Sequence, residues 1–112
     1  MSYYPFGAVV LVAFPFTDQT TTKQRPAVVI SSAAYQRERP DLIILAITSQ
    51  IRATHAFGEA VVQDWQAAGL IKPSALKPLV TTIDTRLVRK TLGTLSTNDQ
   101  YRLKAIIADI IG

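Results

Sequence analysis

Short runs of Val, Ile, Leu and Phe alternate along this chain with polar stretches that contain Pro, Gly or Thr. The first run has no helix cap before it, and Gly7 and Pro15 punctuate its two ends. This pattern predicts β-strands rather than helices. The predicted strands are residues 8–14, 26–30, 42–47, 59–63, 76–83 and 89–95.

Prolines and glycines refine the prediction for individual strands. Pro26 begins the second predicted strand, where its missing N–H costs no hydrogen bond of the ladder. The third run, 42–47, is apolar without interruption, which predicts a strand covered on both faces. Pro78 inside the fifth run predicts an edge or bulged strand, and Gly93 inside the sixth predicts a bend or bulge.

The connections between these strands are polar. Residues 16–24 and 50–58 are predicted to be loops, and residues 31–41 an exposed connection. Residues 64–69 are predicted to form a turn or a single helical turn that ends at glycine. Asp84 is predicted to cap one helical turn at 84–88.

The last part of the chain has the spacing of an amphipathic helix. Its apolar residues recur at intervals of three and four, and Thr97 with Gln100 fits a capping box at the start. The stripe consists of Leu103, Ile106, Ile107, Ile110 and Ile111. Six short strands and one terminal helix predict a mainly β fold, a small, strongly curved antiparallel barrel with the helix packed on it.

The length and amino-acid composition of the chain exclude several kinds of site. The chain has 112 residues, of which 48% are hydrophobic, and we expect one domain over residues 1–112. It has no cysteine and one histidine, so no disulfide, thiolate metal site or cysteine nucleophile is available and a zinc site is not expected. The N-terminus has no basic region, and the apolar run behind it is too short to span a bilayer. We therefore expect a cytoplasmic protein that binds no membrane.

Net charge and missing motifs narrow the function further. Twelve Lys and Arg against eight Asp and Glu give a net charge of +4 and a pI near 9.7, which favours a polyanionic partner. No GxGxxG, Walker loop, GxSxG elbow or metal-ligand spacing occurs, so we expect an activity without cofactor or metal. RNA cleavage fits this expectation, because the 2′-hydroxyl of the substrate is itself the nucleophile.

Arg25 is the strongest candidate for a functional side chain. It stands where a polar loop becomes an apolar strand, and Thr48 with Ser49 ends the next predicted strand. If the two strands are neighbours, a guanidinium and two hydroxyls share one pocket that suits a phosphate. The alternative is that Arg25 is a solvated cation and that the two hydroxyls merely end a strand.

Several other residues are candidates for a functional role, and each also has an ordinary structural explanation. His55 is a candidate general acid, or an exposed polar loop residue. Asp18 and Asp84 are carboxylates on loops or at element ends, where Asp18 can form a turn and Asp84 can cap a helix. Trp65 with Leu70 and Ile71 is either a stacking platform for a base or ordinary packing at the core or its rim.

Four stretches together resemble the MazF/PemK family of toxin–antitoxin ribonucleases. They are the run from Gly7 to 12, Phe-Pro-Phe-Thr-Asp at 14–18, Lys-Gln-Arg-Pro-Ala-Val-Val-Ile-Ser at 23–31, and Ile-Thr-Ser at 47–49. Gly-Leu-Ile-Lys-Pro-Ser at 69–74 and Leu-Gly-Thr-Leu-Ser at 92–96 are similar to the PemK-like branch. The resemblance runs over nearly the whole chain.

The resemblance implies an SH3-like barrel that forms a homodimer, with single-stranded RNA in a groove at the dimer interface and a cognate antitoxin as partner. Family members cleave RNA, including mRNA, to a cyclic phosphate and a 5′-hydroxyl. The family's catalytic arginine corresponds to Arg25 and its hydroxyl partner to Thr48, with Ser49 beside it. The expected RNA-binding residues are Thr17, Asp18, Lys23, Gln24, Gln50, Arg52, His55 and Lys77.

The chain departs from the family pattern in two places. Some members have an Arg-x-Asp triplet near the fifth strand, where this chain has Leu-Lys-Pro at 76–78. Others have a glutamate before the Arg-Pro pair, where this loop has only Asp18. An arginine is a poor general base, so the identity of the general base stays open. A catalytically silent or non-nuclease toxin on the same fold, such as a DNA gyrase poison, is the alternative function.

Overall fold

The computed structural model describes residues 3–15, 22–52 and 56–112, and these ranges contain six strands and two α-helices. The strands are β1 (Ala8–Pro15), β2 (Thr22–Val29), β3 (Asp41–Thr48), β4 (Ala60–Val61), β5 (Ala75–Asp84) and β6 (Val88–Thr94). The helices are α1 (Ala33–Glu38) and α2 (Thr97–Ile111), and Thr85–Leu87 forms a 3₁₀ turn. The predicted mainly β fold with a C-terminal helix is confirmed. Neither helix of these ranges has the length and apolar character needed to cross a membrane.

The strands form one antiparallel sheet in the order β4-β5-β3-β2-β1-β6. No ladder joins the outer strands β4 and β6 in the described ranges, but the turn that follows β4 reaches β6. Gly69, with a φ of +84°, packs its backbone so closely on Leu92 that a Cβ atom would clash with the Leu92 carbonyl. Only glycine fits both this conformation and this contact, which places the turn after β4 against β6 at the other end of the strand order.

The described buried apolar residues form two clusters, one on each face of the sheet. Helix α2 covers the first cluster with Leu103 and Ile106. Strand β3 contributes Leu45 to the first cluster and Ile44 to the second. The prediction that this strand is covered on both faces is therefore confirmed, because alternate side chains of a strand point to opposite faces.

Three local predictions, about β5 and two turns, are confirmed, and one about β2 is wrong. Strand β5 is bulged at its proline, since its pairing with β3 shifts register between Leu45 and Ile47. A 3₁₀ turn follows Asp84, whose carboxylate accepts the backbone N–H of Arg86, and the turn at 64–69 is present. Strand β2, however, begins at Thr22, and Pro26 lies inside it because β1 pairs with β2 from Thr22 to Val28.

Helix α1 lies inside the stretch 31–41, which the sequence predicted to be an exposed connection without assigning a helix. Ser32 caps it by accepting the N–H of Tyr35, and the side chain of Gln36 bonds to both backbone groups of Tyr4. No residue of α1 is buried. The helix therefore lacks the apolar stripe by which a sequence reveals a helix.

The N-cap of helix α2 lies one residue earlier than predicted, at Ser96 instead of Thr97. Ser96 is the N-cap and accepts the N–H of Asp99, while Gln100 donates its amide to the carbonyl of Leu95. The predicted apolar stripe is buried at Leu103 and Ile106, and its last member, Ile111, is 63% exposed. The stripe thus extends beyond the part of the sheet that the helix covers.

Asp99 fastens this helix to the turn that follows β4. Its side chain is buried, and its two carboxylate oxygens accept the backbone N–H groups of Gln63 and Asp64, each at 2.9 Å. Arg102 lies 3.5 Å from the same carboxylate. A buried carboxylate with these donors is satisfied, and both backbone N–H groups depend on it.

We expect Asp99→Asn to lower the free energy of unfolding by about 1–3 kcal/mol, because the amide nitrogen cannot accept one of the two N–H groups. Denaturant unfolding measures this change. Asp109→Asn, an exposed substitution on the same helix, is the matched control and should change stability by less than about 0.5 kcal/mol. Equal losses in both variants would contradict the role of Asp99.

Two carboxylates face each other across the ladder of β3 and β5, where Asp41 pairs with Asp84. Like charges in such positions repel, and each carboxylate has an arginine two residues away. Arg39 bonds to Asp41 at 3.2 Å and Arg86 to Asp84 at 3.0 Å. The hydrogen bonds from these guanidinium groups lower the pKa of both carboxyl groups.

Because these pKa values are lower in the folded than in the unfolded state, their contribution to stability is present above about pH 4 and is lost as the pH falls further. A double Arg39→Ala, Arg86→Ala variant should be less stable than the wild type at pH 7, and the difference should shrink below pH 4. Thermal unfolding between pH 7 and pH 2 tests this. A difference in stability between variant and wild type that stays constant at all pH values would contradict this role of the two arginines. An Arg37→Ala, Arg89→Ala variant, which also removes two arginines, is the control.

Candidate functional site

A cavity of about 530 Å³ opens at the end of the sheet where β2 begins and β3 ends. Its walls come from β2, the end of β3, the bulge of β5 and the segment 70–74 that precedes β5. The described lining residues are Gln24, Arg25, Pro26, Ala46, Ile47, Thr48, Ser49, Gln50, Leu70, Ile71, Lys72, Ser74, Lys77 and Leu79.

Pro26 explains why the sheet opens here. The N–H of Ile30 donates to Ile43 on β3, and backbone groups of a strand alternate in direction, so position 26 also faces β3. A proline has no N–H to donate to the carbonyl of Ile47. The ladder between β2 and β3 accordingly ends at Ala27, although both strands continue beyond it.

This ending of the ladder puts Arg25 across from Thr48. The last pair of the ladder joins Ala27 to Ala46, and two residues further along each strand are Arg25 and Thr48. Residues at opposite positions of neighbouring antiparallel strands point to the same face. The structure therefore brings the arginine and the hydroxyl to one cavity, as the sequence predicted if the strands were neighbours.

The end of β3 is ordered by a local hydrogen bond. The hydroxyl of Thr48 accepts the backbone N–H of Gln50 at 3.1 Å, and Ser49 between them is exposed. A hydroxyl that accepts one hydrogen bond still has its own proton to donate. Thr48 can therefore donate to an anion in the cavity while its oxygen is held by the backbone.

The cavity is cationic. Arg25 on β2, Lys77 in the bulge of β5 and Lys72 before β5 line it, and no carboxylate is among its described lining residues. The described ranges also contain no group of three His, Asp or Glu side chains that could hold a metal ion. Three cations and the hydroxyl of Thr48 suit a phosphodiester better than a neutral ligand.

Six of the residues predicted from the sequence share this cavity. They are Gln24, Arg25, Thr48, Ser49, Gln50 and Lys77. Arg52 lines a much smaller cavity next to it, and Lys23 is exposed on β2. Thr17, Asp18 and His55 lie outside the described residues.

The sequence did not single out Lys72 and Ser74, which contribute to the wall formed by segment 70–74. Leu70 and Ile71, which were predicted with Trp65 as a stacking platform, also line the cavity. The signal in the sequence was a lysine between a turn glycine and a proline, which is common in ordinary loops. Trp65, the stacking candidate, is instead half-buried against the core cluster under α2, as its packing alternative predicted.

Fold and site together define a small, basic, mainly β protein with an open cationic cavity at one end of its sheet. The chain belongs to the PemK-like, MazF-like toxins of type II toxin–antitoxin systems, whose family profile matches residues 6–111. A search of curated protein sequences found no match.

Solved structures of MazF toxins have the same fold. MazF from Deinococcus radiodurans is 23% identical, with 99% of each chain covered and a TM-score of 0.72. The Mycobacterium tuberculosis toxin MazF-mt6 is 19% identical, covers 90% of this chain and 92% of its own, and has a TM-score of 0.71. A mycobacterial endoribonuclease in complex with its cognate antitoxin is 12% identical, covers 96% and 92%, and has a TM-score of 0.76.

Proposed function

We propose that this protein is a metal-independent endoribonuclease that cleaves single-stranded RNA, acting as the toxin of a toxin–antitoxin pair. The observation that carries the proposal is the placement of Arg25 opposite Thr48 in an open cavity with two lysines. Membership of the MazF-like toxin family and the solved endoribonuclease with the same fold support it.

The proposed reaction uses a nucleophile that the RNA supplies. The 2′-hydroxyl oxygen bonds to the adjacent phosphorus, the bond from phosphorus to the 5′-oxygen breaks, and the products are a cyclic phosphate and a 5′-hydroxyl. Charge builds up on the phosphate oxygens in the transition state, where donors that are already in place stabilise it. Arg25 provides a fork of N–H donors and Thr48 provides a hydroxyl.

Two proton transfers complete the reaction. The departing 5′-oxygen takes up a proton, for which Arg25 is the candidate in the cavity and His55 is a further one in the sequence. The 2′-hydroxyl gives up a proton, and the described lining residues include neither a carboxylate nor an imidazole to accept it. Asp18, which precedes β2 in the sequence, is the candidate for this role.

We further propose a homodimer that is active in the cytoplasm and neutralised by a small antitoxin. Solved relatives include a MazE–MazF complex from Deinococcus radiodurans and an endoribonuclease with its cognate antitoxin. An acidic antitoxin segment would compete with RNA for Arg25, Lys72 and Lys77, because all three side chains present positive charge to one cavity.

We expect Arg25→Ala to reduce cleavage of a long single-stranded RNA by at least about a hundredfold, because it removes the main donors to the transition state. Cleavage is measured on a gel in buffer with EDTA, which also tests metal independence. Arg37→Ala removes an exposed arginine of α1 that does not line the cavity and should cleave like the wild type.

Undiminished cleavage by Arg25→Ala, with folding confirmed by circular dichroism, would overturn the proposed mechanism. A wild-type protein that leaves RNA intact would overturn the proposed activity. Trapping of DNA gyrase in a supercoiling assay would then identify the alternative function.

We expect Thr48→Val to lower kcat by about tenfold or more, because the substitution keeps the shape and removes the donor to the phosphate oxygen. Thr48→Ser keeps the hydroxyl and should retain most of the activity. Initial cleavage rates at saturating RNA measure both variants. An equal loss of cleavage rate in the two variants would show that the activity depends on packing at the end of β3 and not on the hydroxyl of Thr48.

A further inference from the structure

One wall of the cavity is formed by the segment 70–74, whose one charged side chain is Lys72. We propose that Lys72 binds a second phosphate of the RNA strand, next to the phosphate held by Arg25 and Thr48. This inference rests on the proposed function and adds a binding residue on a separate element of the fold. It would hold the strand by two phosphates, so that the scissile bond stays in place.

The backbone around Lys72 is held from both sides. On its N-terminal side, Leu70 donates its N–H to the carbonyl of Trp65 at 3.1 Å, and Gly69 packs against β6. On its C-terminal side, the carbonyl of Ser74 accepts the N–H of Val62 at 2.9 Å. The position of the lysine therefore does not depend on a bound ligand.

Ser74 shows how the segment is built. Its side chain is buried at the cavity wall, and its hydroxyl donates to the carbonyl of Lys72 at 2.9 Å. The proton of this hydroxyl is thus used on the backbone and not on a ligand. Pro73, between the two residues, restricts the backbone further. Ser74 acts as a positioning residue that holds Lys72 at the edge of the cavity.

The chemistry of Lys72 suits the phosphate backbone and not a base. It is exposed at the cavity, and an ammonium group attracts a phosphate as a point charge on a flexible stem. Contacts of this type fix the register of a nucleic acid without reading its sequence. Ile71 beside it is 89% exposed and gives the same wall an apolar edge, which a single-stranded base can cover.

The test uses a short single-stranded RNA with 2′-O-methyl groups, which binds but offers no nucleophile for cleavage. Fluorescence anisotropy measures its affinity for the folded wild-type protein and its variants at several salt concentrations. Lys72→Ala should weaken binding by about tenfold at low salt, the effect of losing one charge-assisted contact. The slope of log K against log salt should become smaller by about 0.7, the value for one phosphate of a single strand.

Two further variants distinguish a phosphate contact made by Lys72 from an effect of the net charge of the protein. Lys72→Arg keeps the cation and should bind nearly like the wild type. Lys90→Ala makes the same charge change on β6, outside the cavity, and should leave the salt slope unchanged. With cleavable RNA, Lys72→Ala should raise KM and change kcat little, whereas Arg25→Ala should lower kcat.

The outcomes distinguish this inference from the proposed function. A wild-type protein that cleaves RNA, with a Lys72→Ala variant of unchanged affinity and salt slope, would overturn the inference alone. An equal loss in Lys72→Ala and Lys90→Ala would also overturn it, because only net charge would then matter. A wild-type protein that binds the oligomer through Lys72 but never cleaves RNA would overturn the activity and support the phosphate site.

Discussion

The absence of one backbone N–H, at Pro26, is the constraint on which the candidate site depends. Strands β2 and β3 are neighbours, and without this interruption their ladder could continue across positions 25 and 48. The proline withholds the donor that would face Ile47, so that pairing stops at Ala27 while both strands run on. The space between them is the cavity, and Arg25 and Thr48 lie on its two sides.

The cavity wall formed by segment 70–74 depends on contacts between residues that are far apart in the sequence. Asp99, on α2, binds the backbone at positions 63 and 64, and Gly69 packs on β6. These two contacts hold the turn that leads into segment 70–74, and Ser74 then fixes the carbonyl of Lys72. Helix α2 thus does more than cover the core, because it also supports one side of the proposed phosphate site.

Much of the fold was predictable because it follows from local patterns. The six strands have apolar runs that end at Gly, Pro or polar residues, and α2 has a regular stripe. The predictions that differ from the structure concern residues without such a pattern. Helix α1 has no buried residue, Ser96 and not Thr97 caps α2, and β2 extends back to Thr22 because β1 pairs with it.

By itself the sequence determined the strands, the terminal helix, the basic charge and the motif that relates the chain to the MazF-like toxins. It also pointed to Arg25 and Thr48 as candidate site residues, since an arginine at a loop-to-strand junction and a hydroxyl at a strand end can be read from the sequence alone. Only the tertiary structure decided that the two residues stand opposite each other and that Lys72 shares their cavity. The physical reason is that this arrangement depends on a ladder that ends at Pro26 and on the long-range contacts of Gly69 and Asp99, which no local periodicity records.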